Sequence, residues 1–286
     1  RVTVRSSLPS VDFRRLNEGV ARSKSTTSQF DEAAALLEAN AIIDRKLAIL
    51  SGNVAATRAL EDKAFIESMG QRFATTLWYG NQLTANKEFT GMTPRFNSIA
   101  GGQVIDGGGT GTDNSSIWII DWDVDTVYGI YPKGTVAGLN YAETTANMRD
   151  MGDGFPIGDY QLDGSNNPYL AYSSHYEWNC GLAVRDRRQV VRIANIDKSL
   201  LSKDQSTGAD LQDLLLLGLG NLRRVSANTK IYMPRNIMTT AWRQSAYEKR
   251  AFFERQTNPG EMPMLNFNGV QCRREDALIA DEARVT

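Results

Sequence analysis

Asn53-Val-Ala-Ala-Thr-Arg-Ala-Leu-Glu-Asp-Lys-Ala-Phe-Ile-Glu-Ser-Met-Gly-Gln-Arg-Phe-Ala-Thr-Thr-Leu-Trp-Tyr-Gly80 is the stretch on which the fold turns. Asn53 has the side chain of a helix N-cap, and Gly80 stands where a left-handed residue would stop the helix. Between them Ile66, Met69, Phe73 and Leu77 recur at spacings of three and four, which is one apolar face. Arg58 with Asp62, and Lys63 with Glu67, are opposite-charge pairs four residues apart on the wetter side. A helix over 54–79 is predicted, roughly 39 Å long at 1.5 Å per residue, longer than most globular helices. A helix of that length serves as a strut, and its Met and Phe side chains read as packing residues.

Upstream, residues 31–50 are rich in Ala and Leu, and propensity alone points to helix. Before them, Val2-Thr-Val-Arg5 and Val11-Asp-Phe-Arg14 alternate apolar with polar, interrupted at Leu8-Pro-Ser10. With the polar stretch from Arg22 to Gln29, residues 1–30 read as a long, exposed, basic hairpin that has little apolar reason to fold onto its own domain. Downstream, Ile117-Trp-Ile-Ile-Asp-Trp122 and Thr126–Tyr131 are dense in β-branched and aromatic residues, with Asp123-Val-Asp125 as a hairpin connection. Strands are expected at Tyr169–Val184, Gln189–Ile196 and Thr229–Met233. Helices are expected over about 209–224, opened by Thr207-Gly-Ala-Asp210, and, capped by Asn236, to about 251. The tail from Phe267 to Arg284 reads as short strands and turns, so the mixture is α+β.

Composition bounds the function. The 286 residues are 41% hydrophobic and 23% charged, which is ordinary globular usage and excludes a fibrous or disordered chain. No apolar run approaches the roughly 18 residues of a membrane span. Cys180 and Cys272 are too few for a disulfide scaffold and read as unpaired thiols. A single histidine, His175, excludes zinc sites built on several histidines, and its alternating surroundings give it a structural or surface role. No G-x-S-x-G elbow accompanies it.

The net charge of −1 hides local imbalance. Residues 1–30 hold six basic side chains and two acids, residues 101–170 ten acids against Lys133 and Arg149, and residues 223–255 eight basic residues against Glu248 and Glu254. Solvated faces can differ this way by chance; the alternative is that the oppositely charged parts meet between neighbouring copies, where complementary patches steer association.

Three strings imitate chemistry. Asp106-Gly-Gly-Gly-Thr-Gly-Thr-Asp-Asn114 lacks both the Rossmann spacing and a Walker lysine, and reads as turn chemistry. Asp121-Trp-Asp123-Val-Asp125 opens like a calcium loop, but Thr126 and Pro132 stand where Gly and Glu are needed. These three aspartates are therefore expected to be hairpin and surface acids. Asn114-Ser-Ser116 matches a glycosylation sequon without a secretory signal beside it. No catalytic, cofactor-binding or metal-binding residue is assigned. The acid-rich middle and five tryptophans leave open a carbohydrate-active or carbohydrate-binding protein, since a glycosidase needs only two carboxylates.

A wider resemblance covers almost the whole chain. Asp106 to Ile120 followed by Thr126-Val-Tyr-Gly-Ile-Tyr-Pro-Lys-Gly-Thr-Val-Ala-Gly-Leu139 resembles a signature of tailed-bacteriophage major capsid proteins. So do Leu182-Ala-Val-Arg-Asp-Arg-Arg-Gln-Val-Val-Arg-Ile-Ala-Asn-Ile-Asp197, Ala277-Leu-Ile-Ala-Asp-Glu-Ala-Arg-Val285, Lys24-Ser-Thr-Thr27 and Leu77-Trp-Tyr-Gly-Asn81. The family is similar to the podovirus-type shell proteins with the Hong Kong 97-like fold.

The resemblance implies an extended loop at 1–30 lying across a neighbouring subunit. It also implies a peripheral domain of 31–100 plus 265–286 with a spine helix at 54–79, and a mainly axial domain at 101–264. Ala33–Ile43 would then be strand rather than helix, and residues 141–168 an exposed insertion. Family members carry an amino-terminal arm ahead of the first strand, whereas this sequence opens on Arg1; a processed or omitted arm is expected.

The implied function is self-assembly, as hexamers and pentamers, into an icosahedral shell around double-stranded DNA, with no reaction catalysed and no cofactor or metal. The implied partners are other copies, a decoration or cement protein, scaffold and portal, with non-specific DNA contact and no membrane. The implied location is the virion, and the host cytoplasm during assembly. A decoration or tail component of a virion is a further alternative.

Overall fold

The computed structural model describes residues 1–143, 149–150, 156–157, 160–162, 168–248, 253–256 and 264–286. In chain order the first elements are β1 (Val2–Ser7), β2 (Thr26–Phe30), β3 (Ala34–Asp44), α1 (Arg45–Leu50), α2 (Val54–Tyr79), β4 (Val104–Asp106) and β5 (Asn114–Asp121). Next come β6 (Val127–Ile130), β7 (Leu139–Glu143), β8 (Arg149–Asp150), β9 (Pro156–Ile157), β10 (Tyr160–Leu162) and β11 (Pro168–Val184). The last are β12 (Val190–Asp197), α3 (Leu211–Asn221), β13 (Thr229–Met233), α4 (Arg235–Glu248), β14 (Phe253–Gln256), β15 (Met264–Phe267) and β16 (Val270–Arg274). The chain forms two compact units: residues 34–90 with 130–181, and residues 1–33 with 91–129 and 182–286.

The first of these units is built on α2. Asn53 caps it, its side chain accepting from the Ala56 N–H at 3.1 Å. The helix lies on the antiparallel pair β3–β11, whose register runs from Ala171↔Asp44 to Gly181↔Ala34. Ala41, Met69 and Tyr176 are buried there, with Leu37, Ala39, Phe65 and Trp178 packed around them. Phe65, Met69 and Phe73 therefore face the sheet, while Ile66 is exposed, a correction to the predicted face. Arg58 turns to β11, donating to Ser174 Oγ at 3.3 Å and lying over the Tyr172 ring.

Gly80 ends the helix with φ −53° and ψ 137°, not in the left-handed region. Glycine is required there because a Cβ would lie 2.5 Å from the Thr76 carbonyl oxygen and 2.6 Å from that of Phe89. Residues 34–44 are strand, as the resemblance implied and against local propensity: pairing with β11 outweighs the few tenths of a kcal/mol per residue by which Ala and Leu favour helix.

The other unit centres on a seven-stranded sheet in the order β14-β15-β16-β13-β5-β12-β4. Its middle strands β5 and β12 are buried on both faces, polar members such as Ser116, Arg192 and Asn195 included. Ile117, Ile119 and Ile193 from the strands meet Leu211 and Leu215 of α3 and Ile237 of α4 in one core. Asp210 caps α3, accepting from the Gln212 and Asp213 N–H groups at 3.0 and 3.1 Å.

β5 and β6 do not form the expected hairpin pair. Asp123–Thr126 does turn, with Thr126 N–H donating to the Asp123 carbonyl at 3.0 Å, but β5 pairs antiparallel with β12 and β13. The expected strand at Val11–Arg14 is also absent.

The two units divide the chain differently from the expected grouping of 31–100 with 265–286. β16 pairs in parallel with β13, Lys230↔Gln271 through Met233↔Arg274, and β15 pairs with β16, so the tail's backbone groups are satisfied inside the seven-stranded sheet. Residues 168–181 instead join α2 through β3. Most of the expected insertion at 141–168, and the expected end of α4 at about 251, lie outside the described residues.

The closing residues are threaded into this unit by polar contacts. Glu282 N–H donates to the Asn114 carbonyl at 2.9 Å, and Ser115 Oγ donates to the Ile279 carbonyl at 2.9 Å. Asn195, at φ 57° in the irregular part of β12, donates to the Val285 carbonyl at 2.9 Å and accepts from Val285 N–H at 2.8 Å. Beneath them Arg192 is buried with its guanidinium over the Trp118 ring. It donates to Ser116 Oγ at 3.0 Å, the Phe96 carbonyl at 2.8 Å and Glu282 Oε2 at 2.8 Å.

Candidate functional site

Residues 1–30 are the least self-contained part of the chain. β1 and β2 pair antiparallel from Val2↔Phe30, with an irregularity between Arg5 and Ser7. Beyond them residues 8–25 form an arm without strands, turning at Asn17, whose φ is 66°. Val2 is the one residue of the thirty that is buried. Leu8, Val11, Phe13, Leu16 and Val20 are all exposed on the arm. Five exposed apolar side chains on a single arm are what an interaction surface presents. The base is held firmly: Arg95 pairs with both carboxylate oxygens of Glu32 at 2.5 and 2.6 Å, and Arg1 pairs with Asp31 at 3.0 Å.

Beside β1 lies a groove of about 1030 Å³ lined by Arg5, Arg95, Arg185, Arg187, Arg188 and Arg223, with Asp125 and Asp186 opposing them. Arg185 reaches Asp125 at 2.6 Å, and Asp186 accepts from Arg188 at 2.9 Å. Arg187 lies over the Phe96 ring and donates to the Arg95 carbonyl. Six arginines against two aspartates leave the groove cationic. This groove was not foreseen, although Arg185-Asp-Arg-Arg188 was its sequence signal; a four-residue charge run says nothing of the strand that will lie alongside it.

The strings that imitated chemistry take structural places. The glycine-rich loop continues alongside β12, Gly107 and Gly109 donating to the Ala194 and Asn195 carbonyls at 2.8 and 2.7 Å. A Cβ on Gly109 would meet Asn114 Oδ1 at 2.5 Å, so the loop is packed tightly against the strand. Asn114 is buried with its amide on the Gly111 carbonyl, which removes the sequon from the surface.

Asp121 is not the surface acid expected. It is fully buried, accepting from Thr229 Oγ1 at 2.9 Å, Gln189 Nε2 at 3.3 Å and Ser226 Oγ, with Arg224 at 3.4 Å. Asp123 reaches Arg224 at 3.1 Å. No group of three or more His, Cys, Asp or Glu suited to a metal ion occurs among the described residues. His175 bonds Asn40 Oδ1 at 2.7 Å within the β3–β11 pair. Trp78 and Trp118 are buried, while Trp242 is half exposed, so the tryptophans form no common sugar platform.

Both thiols are free and buried, and burial pushes Cys180 up to about 11 and Cys272 up to about 12. At pH 8 only about one in a thousand Cys180 thiols, and fewer for Cys272, would be thiolate. The folded chain should therefore resist iodoacetamide at pH 8 and take up two equivalents in urea, as mass spectrometry will read. Rapid labelling without denaturant would show that these strands open readily.

No helix among the described residues is long and apolar enough to cross a membrane. Nothing among the curated proteins matches the chain. Among solved structures it is similar to a chain of the bacteriophage Epsilon15 structure, at 28% identity and TM-score 0.68, covering 99% of this chain and 83% of that one. A chain of the bacteriophage JBD30 capsid matches at 12% identity and TM-score 0.47, over 96% of this chain and 84% of that one. The model of the family described as major capsid protein GP7 matches residues 1–286. With the family model matching from end to end and the Epsilon15 chain sharing its mixed α+β fold, the chain belongs to the major capsid protein GP7 family and is a structural protein of a tailed-phage capsid.

Proposed function

We propose that this chain is the coat subunit of an icosahedral shell around double-stranded DNA, on a Hong Kong 97-like fold. In this reading residues 1–30 are the extended loop, residues 34–90 with 130–181 the peripheral unit carrying the spine helix, and the seven-stranded unit the axial one. The observation that carries it is the hairpin: thirty residues with one buried side chain, five exposed apolar groups on the arm, and six basic side chains against two acidic ones. A chain that holds such a hairpin out to water is completed by other copies. Hexamers and pentamers assembled in the host cytoplasm, with a scaffold and a portal, are the assembly this implies. Individual contacts stay weak because closure multiplies them.

Electrostatics adds a smaller share than formal charge suggests. Of the acids at 101–170, Asp121, Asp123 and Asp125 already meet Arg224 or Arg185 within the chain. Arg14 and Arg15 lie on the exposed arm, contacting Glu18 only locally. Expressed alone and without DNA, the chain should form closed shells by electron microscopy. Their yield should fall as salt rises past about 0.15 M, where the Debye length is about 8 Å. Arg14→Glu with Arg15→Glu should lower shell yield while leaving the melting temperature unchanged, since each exposed pair contributes about 0–1 kcal/mol. Monodisperse monomers under all conditions would remove the coat reading. A flat salt response with an unaffected double variant would assign assembly to apolar contacts.

A further inference from the structure

The unit carrying α2 has a pocket of about 320 Å³ bounded by β3, α2 and the segment after it. Its floor is mostly apolar, with Ala35, Leu37, Phe73, Phe89 and Cys180 lining it, and its rim is polar. Phe73 stacks on Trp178 at 4.4 Å between ring centroids and meets Phe89 at 6.2 Å, so the wall is braced from behind. Leu36, 65% exposed, also borders it. A cavity of about 150 Å³ with such lining accepts benzene. This one has room for a phenyl ring and a second apolar side chain.

We propose that Phe13, from the hairpin arm of one copy, seats in this pocket of a neighbouring copy. The inference rests on the coat reading above and names the place where its hairpin docks. Phe13 is 108% exposed, so its own chain gives it no cover. Water-exposed phenyl groups and braced apolar pockets in one sequence are complementary surfaces. The charges agree as well. Asp12 and Arg14 flank the phenyl group, and the pocket is lined by Lys87 beside Glu88, which Arg72 also pairs. Glu88 is thus held within its own chain, and the charge left at the rim is Lys87, the complement of Asp12 beside the phenyl group. Leu16 or Val11 would fill the volume left beside the ring.

Cysteine cross-linking tests this directly. Phe13→Cys and Leu36→Cys are made in separate chains, both also carrying Cys180→Ala because Cys180 lines the pocket and would itself pair with a thiol at position 13; both new cysteine positions are exposed. The two chains are mixed, assembled, oxidised with copper phenanthroline and run on a non-reducing gel. The expected result is a dimer band in shells from the mixture, at least tenfold stronger than from either chain alone or from Phe13→Cys mixed with Ile279→Cys. Phe13→Asp should in addition reduce shell yield at least tenfold with an unchanged melt. Closed shells from the mixture with no such band would overturn the seat while leaving the coat reading intact, and so would full shell yield from Phe13→Asp. Absence of shells from the native chain itself would overturn both.

Discussion

Glu282→Ala is expected to destabilise the folded subunit by about 3–5 kcal/mol, the range found when one partner of a buried ion pair is removed. The side chains of Arg192 and Glu282 are 2% and 5% exposed and lie 2.8 Å apart. Truncating the acid leaves a guanidinium in the sheet with its charge unmatched, facing Ser116 Oγ, the Phe96 carbonyl and the Trp118 ring. Ser116 Oγ, which also bonds Glu282, loses that contact as well. Urea unfolding of unassembled subunit, read from the shift in midpoint at constant slope, measures the loss. Glu282→Ala combined with Arg192→Met should cost less than the sum of the single changes, because the second removes the stranded charge. Simple additivity would show that water reaches Arg192.

Asp121→Ala should cost about 3 kcal/mol, and Asp121→Asn less. The carboxylate gathers donors from three separate parts of the sequence: Gln189, the Ser226–Thr229 turn, and Arg224. Alanine leaves several of these inside without a partner, each costing about 1–3 kcal/mol if nothing replaces it. Asparagine keeps one acceptor oxygen but points an amide donor at groups that themselves donate. Thermal unfolding of the three chains should order them native, Asn, Ala. A loss below about 0.5 kcal/mol for alanine would mean that the site relaxes to admit water.

Much of this chain was legible from its residues, for reasons of period and chemistry. The helix at 54–79 was set by an Asn cap and apolar spacing, and its bounds match. The strand at Thr229–Met233 was equally local, and its bounds match as well. The exposure of residues 1–30 followed from alternation without a core. The class of the protein came from resemblance along the whole chain, not from any single motif.

What only the tertiary structure decided lies in pairings distant in sequence. Residues 34–44 became strand because β11, more than a hundred residues on, supplies their hydrogen bonds. Asp121 became a buried junction because Ser226 and Thr229 arrive beside it, a meeting that no spacing around Asp121 announces. The tail joined β13 rather than the helix unit because β16 found a parallel partner there. Arg185, Arg187 and Arg188 became a groove only when β1 lay alongside them. Local sequence determines period, caps and exposure, since those depend on neighbours within a turn or two. Burial of a charge, the partner of a strand and the wall of a pocket depend on which distant segment arrives, and that is settled by the free energy of the whole fold.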